Sequence, residues 1–278
     1  MPLEKVSVIL NEADKGGYAV AAFNAFNYES ITWIIEAAEE ENMPVIAMLY
    51  PACASFIPFT AFAAIVKDAA SRAKVPVGLH LDHSRSFEEI MAGIRDGFTS
   101  VMIDGSSLPF EDNVRATREI VKAAHAMDVD VEAELGYVGS ASNIDDYADS
   151  ARYTDAASVA EFVERTGVDS LAIAIGNAHG NYAATPNLDL KRLEEINKAT
   201  DIPLVLHGGS GIPDEQVKAA VKLGINKLNI GTELNQMFIE KLQEAMDKNK
   251  CEGMLDCMME IKDKVKEGIK QKIRLLKP

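Results

Sequence analysis

The chain alternates between short, nearly unbroken apolar runs and longer stretches whose apolar residues recur every three or four positions. Strands buried on both faces give the first pattern, and amphipathic helices give the second. The apolar runs predict eight strands, at 18–23, 44–50, 76–83, 100–106, 130–138, 170–176, 203–209 and 227–232. Between them, ESITWIIEAAEEE, FTAFAAIVKDAASRA, FEEIMAGIRDG and FEDNVRATREIVKAAHAMD read as helices. So do DAASVAEFVERTG, DLKRLEEINKAT, DEQVKAAVKLG and ELNQMFIEKLQEAMDK. Several open on Asp or Glu and close on Gly, as helix ends prefer. Eight strands, each followed by a helix, is the count of a (β/α)8 TIM barrel, an α/β fold. No linker or composition break divides the 278 residues, so 1–278 reads as one barrel domain. The last stretch, about 254–276, predicts a basic amphipathic helix that closes the barrel base or joins a subunit interface.

Barrels of this kind carry their chemistry at the C-terminal ends of the strands. The ionisable residues fall there: Asp82 and His83 after strand three, Asp104 after strand four, Glu134 on strand five, His179 after strand six and His207 after strand seven. Asn24 ends strand one and Asn229 lies on strand eight. Three of the five histidines thus converge on one rim. Three His with an open fourth position is a catalytic zinc arrangement, although imidazole also suits other divalent ions. Asp104 and Glu134 are placed to orient such ligands or to serve as alternate ones. Any single histidine at a strand end is more often a structural residue, and the case rests on the three together. His80 shares a strand face with Asp82 and reads as a barrel-interior residue. His125, inside a helical run, reads as a surface or packing histidine.

Two glycine-rich segments follow strands seven and eight, HGGSGIP (207–213) and NIGTE (229–233). Loops at these two places are the usual phosphate cradle of such a barrel. Gly208 and Gly209 let backbone N–H groups approach an anion, and Ser210 and Thr232 add hydroxyl donors. The loop after strand five, GSASNIDDYADSARYTD, is too long for a plain connection and reads as a functional lid.

Composition narrows the partners. The net charge is −15 and the pI about 4.8, which argues against nucleic acid and anionic membranes. It leaves phosphorylated small molecules open, because local amide donors bind anions within an acidic protein. Cys53, Cys251 and Cys257 form no CxxC pair and suggest neither a thiolate zinc site nor a disulfide scaffold. The N-terminal segment lacks the apolar run of a signal peptide, and no stretch is long enough for a membrane span. The expectation is a soluble cytoplasmic protein.

HLDHS, SVMIDGSSLPFEDN, VEAELGYVG, AIAIGNAHGNY, PLVLHGGSGIP and KLNIGTEL resemble, in order and spacing, the class II ketose-bisphosphate aldolases. That family includes the fructose-1,6-bisphosphate and tagatose-1,6-bisphosphate enzymes, and the resemblance covers roughly positions 3–245. It implies one Zn2+ per subunit on His83, His179 and His207, with Asp82 as the catalytic acid/base and Asp104 and Glu134 near the metal. It implies phosphate contacts at Gly180, Gly208, Gly209, Ser210, Asn229 and Thr232, with Asn24 near the substrate. It also implies a sugar-phosphate substrate, a homodimer or homotetramer and, in some members, a monovalent cation (Na+ or K+). Schiff-base aldolases place a lysine inside the barrel. Strands five to seven carry none in their apolar portion, and Lys227 opens strand eight at the opposite rim.

Three departures stand out. Ala183 follows Tyr182 where many fructose-type members have a lysine that touches phosphate, and the tagatose-type branch is closer here. Ser142 stands where the family's loop glutamate belongs, which leaves Asp145, Asp146 or Asp149 as lid acids. Tyr50 replaces a smaller residue in the pocket. These changes leave two alternatives: an aldolase for another ketose phosphate (deoxy, inositol-derived or sulfonated), or a non-catalytic sugar-phosphate-binding paralogue.

Overall fold

A computed structural model of the protein describes residues 3–248 and 250–278. The expected span of 1–278 thus includes Met1, Pro2 and Asn249, which lie outside the described residues. The chain runs α1 (Val6–Gly16), β1 (Val20–Asn24), α2 (Tyr28–Glu41), β2 (Val45–Leu49), α3 (Phe59–Arg72), β3 (Val77–Ser84), α4 (Phe87–Asp96) and β4 (Ser100–Ile103). It continues with α5 (Phe110–His125), β5 (Asp130–Leu135), a short α6 (Ile144–Ala148), α7 (Ala156–Thr166), β6 (Ser170–Ile173), α8 (Leu190–Asn197) and β7 (Leu204–Leu206). It ends with α9 (Asp214–Lys222), β8 (Ile225–Ile230), α10 (Thr232–Asp247) and α11 (Met254–Leu275). The eight strands pair in parallel and in chain order, and β8 closes on β1 through Val20 opposite Lys227. The (β/α)8 barrel and its C-terminal helix are therefore both present.

Several strands stop short of the apolar runs that predict them. The run 203–209 pairs only over Leu204–Leu206, and 100–106 only over Ser100–Ile103. The residues beyond are the rim loops. Gly208 turns there with φ 64, and a Cβ on it would meet the Ala178 carbonyl oxygen at 2.0 Å, so only glycine fits.

Helix ends follow local chemistry. Asn27 and Ser30 form a reciprocal capping box at the start of α2, and Ser86 accepts from the Glu89 amide at the start of α4. Gly97 ends α4 in the left-handed region.

Among the described residues two large apolar clusters form, with a third small one around Ala141, Tyr147 and Ala178. The larger fills the space between barrel and helices. The smaller joins inward Val20, Ala22, Ile46 and Met48 to Val6, Ile9, Leu10 and Ala13 of α1. Helix α1, which the sequence reading did not assign, thus closes the barrel floor. Of the two places expected for the C-terminal helix, the barrel base is therefore taken by α1. Instead α11 lies outside, against α2 and α10. Its Ile261, Val265, Ile269 and Ile273 are buried. Its cations meet the acidic edge of α2, with Lys266 on Glu36 at 3.0 Å, Lys270 on Glu40 at 3.0 Å and Arg274 on Glu41 at 2.9 Å. Cys251 and Cys257 lie close together at the start of α11, with Cα atoms 4.8 Å apart.

Candidate active site

Asp82 and His83 are consecutive, and a regular strand sends consecutive side chains to opposite faces. The strand is not regular here. The β3–β4 register shifts between Leu81 and Ser84, and His83 has φ 49. This bulge re-aims His83, so both residues face the cavity at the strand end. Asp82 is buried and accepts from Asn24 Nδ2 at 2.9 Å and Asn229 Nδ2 at 3.3 Å. Burial alone raises a carboxyl pKa. At Asp82 the charges of His83, His207 and Lys227 outweigh it and lower the value to about 2. Asp82 is therefore a carboxylate at any working pH, with its Oδ1 3.9 Å from His83 Nε2.

Three imidazoles meet beside it. Ring centroids lie 4.6 Å apart for His83–His179, 4.6 Å for His83–His207 and 5.6 Å for His179–His207. Each is held by a different device. Asp104 Oδ2 lies 3.5 Å from His83 Nδ1, while its Oδ1 accepts from Ser106 Oγ at 2.7 Å. His179 is pinned by backbone bonds to the loop after β5, its N–H donating to Gly139 and its carbonyl accepting from Ala141. His207 Nε2 lies 2.9 Å from Glu132 Oε1, and Asn177 Nδ2 donates to the His207 carbonyl. Burial and the neighbouring His83 and His207 push the His179 pKa down to about 3, which keeps its ring neutral.

The residues fit a divalent ion. One donor atom each from His83, Glu134, His179 and His207 lies within 4.8 Å of the others. Glu134 Oε2 and His207 Nδ1 are buried without hydrogen-bond partners, 3.3 Å apart. Two orphaned polar atoms facing each other are costly unless something binds between them. Three imidazoles and a carboxylate are the donor set that zinc accepts. Glu134 thus stands among the donor atoms, and Asp104 stands behind His83.

The cavity of about 440 Å³ is lined by Asn24, Asp82, His83, Asp104, His179, Gly180, Gly208, Ser210, Asn229 and Thr232, all singled out from the sequence. Gly231, Thr232 and Asn235, at the start of α10, line one end of it. Tyr182 braces it, accepting from the Ala178 amide at 2.8 Å and donating to the Gly208 carbonyl at 3.1 Å.

Three expected residues are elsewhere. Gly209 does not line the cavity, because its amide is used on the Asn229 carbonyl at 2.9 Å. Asp146 is bound within its own loop, to the Ser140 amide at 2.9 Å and to Arg152 at 2.9 Å. Asp145 is exposed beside it. Neither lines the cavity, and the Asp146 carboxylate is spent within its own loop. Ser142 is exposed too, with its hydroxyl on Ser140.

Other lining residues escaped the sequence reading: Phe26, Arg85, Val138, Gly231 and Asn235. Tyr50 lines the wall edge-on to Phe26, with ring centroids 5.7 Å apart. A hydrogen bond with Cys53, then burial, pushes the Tyr50 pKa up to about 12, so it stays a neutral phenol. Glu132 and Lys227 were also missed. Lys227 is fully buried inside the barrel, its Nζ 2.7 Å from Glu132 Oε2, and not at the opposite rim. Strand alternation was the available signal: Lys227 shares a face with Asn229, and Glu132 with Glu134. His80 fills the interior as expected, its Nδ1 2.7 Å from Ser100 Oγ.

The family profile described as fructose-bisphosphate aldolase class-II matches residues 4–278. A probable fructose-bisphosphate aldolase of Bacillus subtilis (strain 168) is 47% identical over 244 residues, covering 87% of this chain and 85% of that protein. The fructose-bisphosphate aldolase of Geobacillus stearothermophilus is 44% identical over 252 residues, 90% of this chain and 88% of that protein. Among solved structures, the YdjI aldolase from Escherichia coli K12 superposes with a TM-score of 0.88 at 39% identity, over 99% of this chain and 97% of that one.

Proposed function

Because the chain belongs to the class II fructose-bisphosphate aldolase family, we propose that it performs the reversible, zinc-dependent aldol cleavage of a ketose phosphate. The products are dihydroxyacetone phosphate and an aldehyde, and the substrate is of the tagatose- or fructose-1,6-bisphosphate type. Membership makes it a carbon–carbon lyase. The observation that carries the reading is the placement of Asp82. A carboxylate held by two asparagine amides lies 3.9 Å from His83 and lines the same cavity as His179 and the glycine-rich loops.

Zn2+ on His83, His179 and His207, with Glu134 as a further ligand, would supply Lewis-acid polarisation of the ketose carbonyl. Asn24 on Oδ2 and Asn229 on Oδ1 fix the Asp82 carboxylate, and a remaining lone pair takes the C4 hydroxyl proton as the C3–C4 bond breaks. In the synthetic direction Asp82 returns that proton to the aldehyde oxygen. Gly208, Ser210 and Thr232, at the N-terminus of α10, anchor the phosphate and hold the reacting carbons beside Asp82. A monovalent cation near these loops, a homodimer or homotetramer, and a cytoplasmic location belong to the same reading. Among the described residues no helix is long and apolar enough to cross a membrane.

Tyr50 supports a second reading on the same chemistry. The Phe26–Tyr50 wall reshapes the cavity, which favours a ketose phosphate other than the two bisphosphates. The test is product identification with the zinc-loaded protein across fructose and tagatose bisphosphates and deoxy, inositol-derived and sulfonated ketose phosphates. Release of dihydroxyacetone phosphate from any of them supports the reaction, and the fastest names the substrate. No cleavage across the panel, with zinc bound, would leave a sugar-phosphate-binding paralogue.

A further inference from the structure

Beneath the three histidines lies a buried chain of charges that the proposed chemistry does not use. Lys227 Nζ on β8 is 2.7 Å from Glu132 Oε2 on β5, and Glu132 Oε1 is 2.9 Å from His207 Nε2 on β7. The side chains of all three are 0% exposed. His80 Nε2 stands 3.9 Å from the same carboxylate, and Ser170 Oγ 3.5 Å from it. The other ring nitrogen of His207, Nδ1, is the orphan that faces Glu134 Oε2.

We propose that Lys227 and Glu132 are positioning residues that set which nitrogen of His207 is offered to a metal. The inference rests on the metal reading above. A carboxylate only accepts hydrogen bonds, so His207 Nε2 must donate to Glu132. A neutral imidazole that donates from Nε2 keeps its lone pair on Nδ1, toward Glu134, His83 and His179. Lys227 supplies the counter-charge that lets a carboxylate stay in the barrel centre, and its ammonium occupies the other carboxylate oxygen. The ring is thereby held in one orientation, with Nε2 committed to Glu132 and Nδ1 directed at Glu134 and the other two histidines.

This arrangement makes an unusual prediction about pairs of substitutions. In Glu132→Gln the volume is unchanged, but Lys227 attracts the amide oxygen and turns the NH2 toward His207. His207 Nε2 must then accept, and Nδ1 carries the proton. Adding Lys227→Met frees the amide to turn round and offer its oxygen to His207.

The experiment measures Zn2+ affinity of the metal-free proteins by competition with a chromophoric chelator, together with the visible spectrum of the Co2+ forms. The expected result is that Glu132→Gln binds Zn2+ at least tenfold more weakly, with an altered Co2+ spectrum. Glu132→Asp, which keeps an acceptor-only group, should bind more tightly than Glu132→Gln despite its shorter reach. Glu132→Gln combined with Lys227→Met should recover at least threefold over Glu132→Gln alone. Wild-type affinity in Glu132→Gln, or no recovery in the double variant, overturns the tautomer role. If Glu132→Gln does not fold, Glu132→Asp and the double variant decide. Zn2+ binding within tenfold of the wild type by either of them, each of which offers His207 an acceptor, would then support it, and a larger loss in both would contradict it. A wild-type protein that takes up no Zn2+ would instead overturn the metal reading itself.

Discussion

His83 shows how much chemistry one backbone angle can carry. Its φ of 49 lies in the left-handed region, which costs an ordinary residue about 1–2 kcal/mol. The bulge that imposes this angle also turns His83 to the same side as Asp82. His83→Gly should therefore leave a metal-free protein more stable than His83→Ala, by about 1 kcal/mol in chemical denaturation. Equal stabilities would remove the strain. Asp82 makes a different prediction. Asp82→Asn keeps the size of the side chain and removes the base. Turnover should fall about 10²–10⁴-fold while bound zinc stays at the wild-type level. A variant that loses zinc in proportion to activity would make Asp82 a structural support rather than the base. At this scale the sequence was most informative where residue type and strand end coincided, as for Asp82, His83, His179 and His207. It was least informative where a charge is hidden. Lys227 reads as a strand opener until its alternation with Asn229 is followed inward. Asp145 and Asp146 mislead for the opposite reason. They are acids on a functional-looking loop, and only three-dimensional contacts show Asp146 spent on Ser140 and Arg152.

The elements were legible because period-2 and period-3.6 patterns are local properties. The eight strands and eight intervening helices all appear in the predicted order. What the pattern did not settle was which helix closes which end, since that depends on the barrel interior. Val6, Ile9, Leu10 and Ala13 have helical spacing, and their partners Val20, Ala22, Ile46 and Met48 come from two later strands. Leu10 is 0% exposed at the centre of that floor, so Leu10→Ala should cost about 2–5 kcal/mol in urea unfolding. A loss below about 1 kcal/mol would mean that the floor collapses to fill the gap. Helix α11 adds ion pairs with α2 to its buried apolar face. Hydrogen bonds from Lys266 and Lys270 lower the Glu40 pKa, and bonds from Arg274 and Lys277 lower that of Glu41, both from 4.5. A depressed folded-state pKa gives stability that is present above the unfolded value and is lost as pH falls through the folded one. These pairs should therefore contribute near neutral pH and fade below about pH 4.5. Melting temperatures of the wild type should drop more steeply over that range than those of a Glu40→Gln/Glu41→Gln protein. Because such pairs are partly solvated, the difference should be about 1 kcal/mol or less.

Taken whole, the molecule is an acidic barrel in which one cavity gathers His83, His179, Asp82 and the glycine-rich loops after β7 and β8. The net charge of −15 does not oppose the proposed phosphate site, because that end of the cavity is built from glycine turns and a helix N-terminus rather than from surface lysines. The same interior contains a lysine, yet Lys227 is bound to Glu132 and is not free to attack a carbonyl. The choice between a metal and a Schiff base is thus written in the barrel's charge pairing, and it can be read in one assay. Dihydroxyacetone phosphate release from a cleaved ketose phosphate is followed before chelator, after chelator, after Zn2+ is restored, and after borohydride is added with substrate. The account predicts that chelation abolishes release, that Zn2+ restores it, and that borohydride leaves the enzyme active. Release that survives complete removal of the metal, or inactivation by borohydride through a covalent adduct at Lys227, would contradict it.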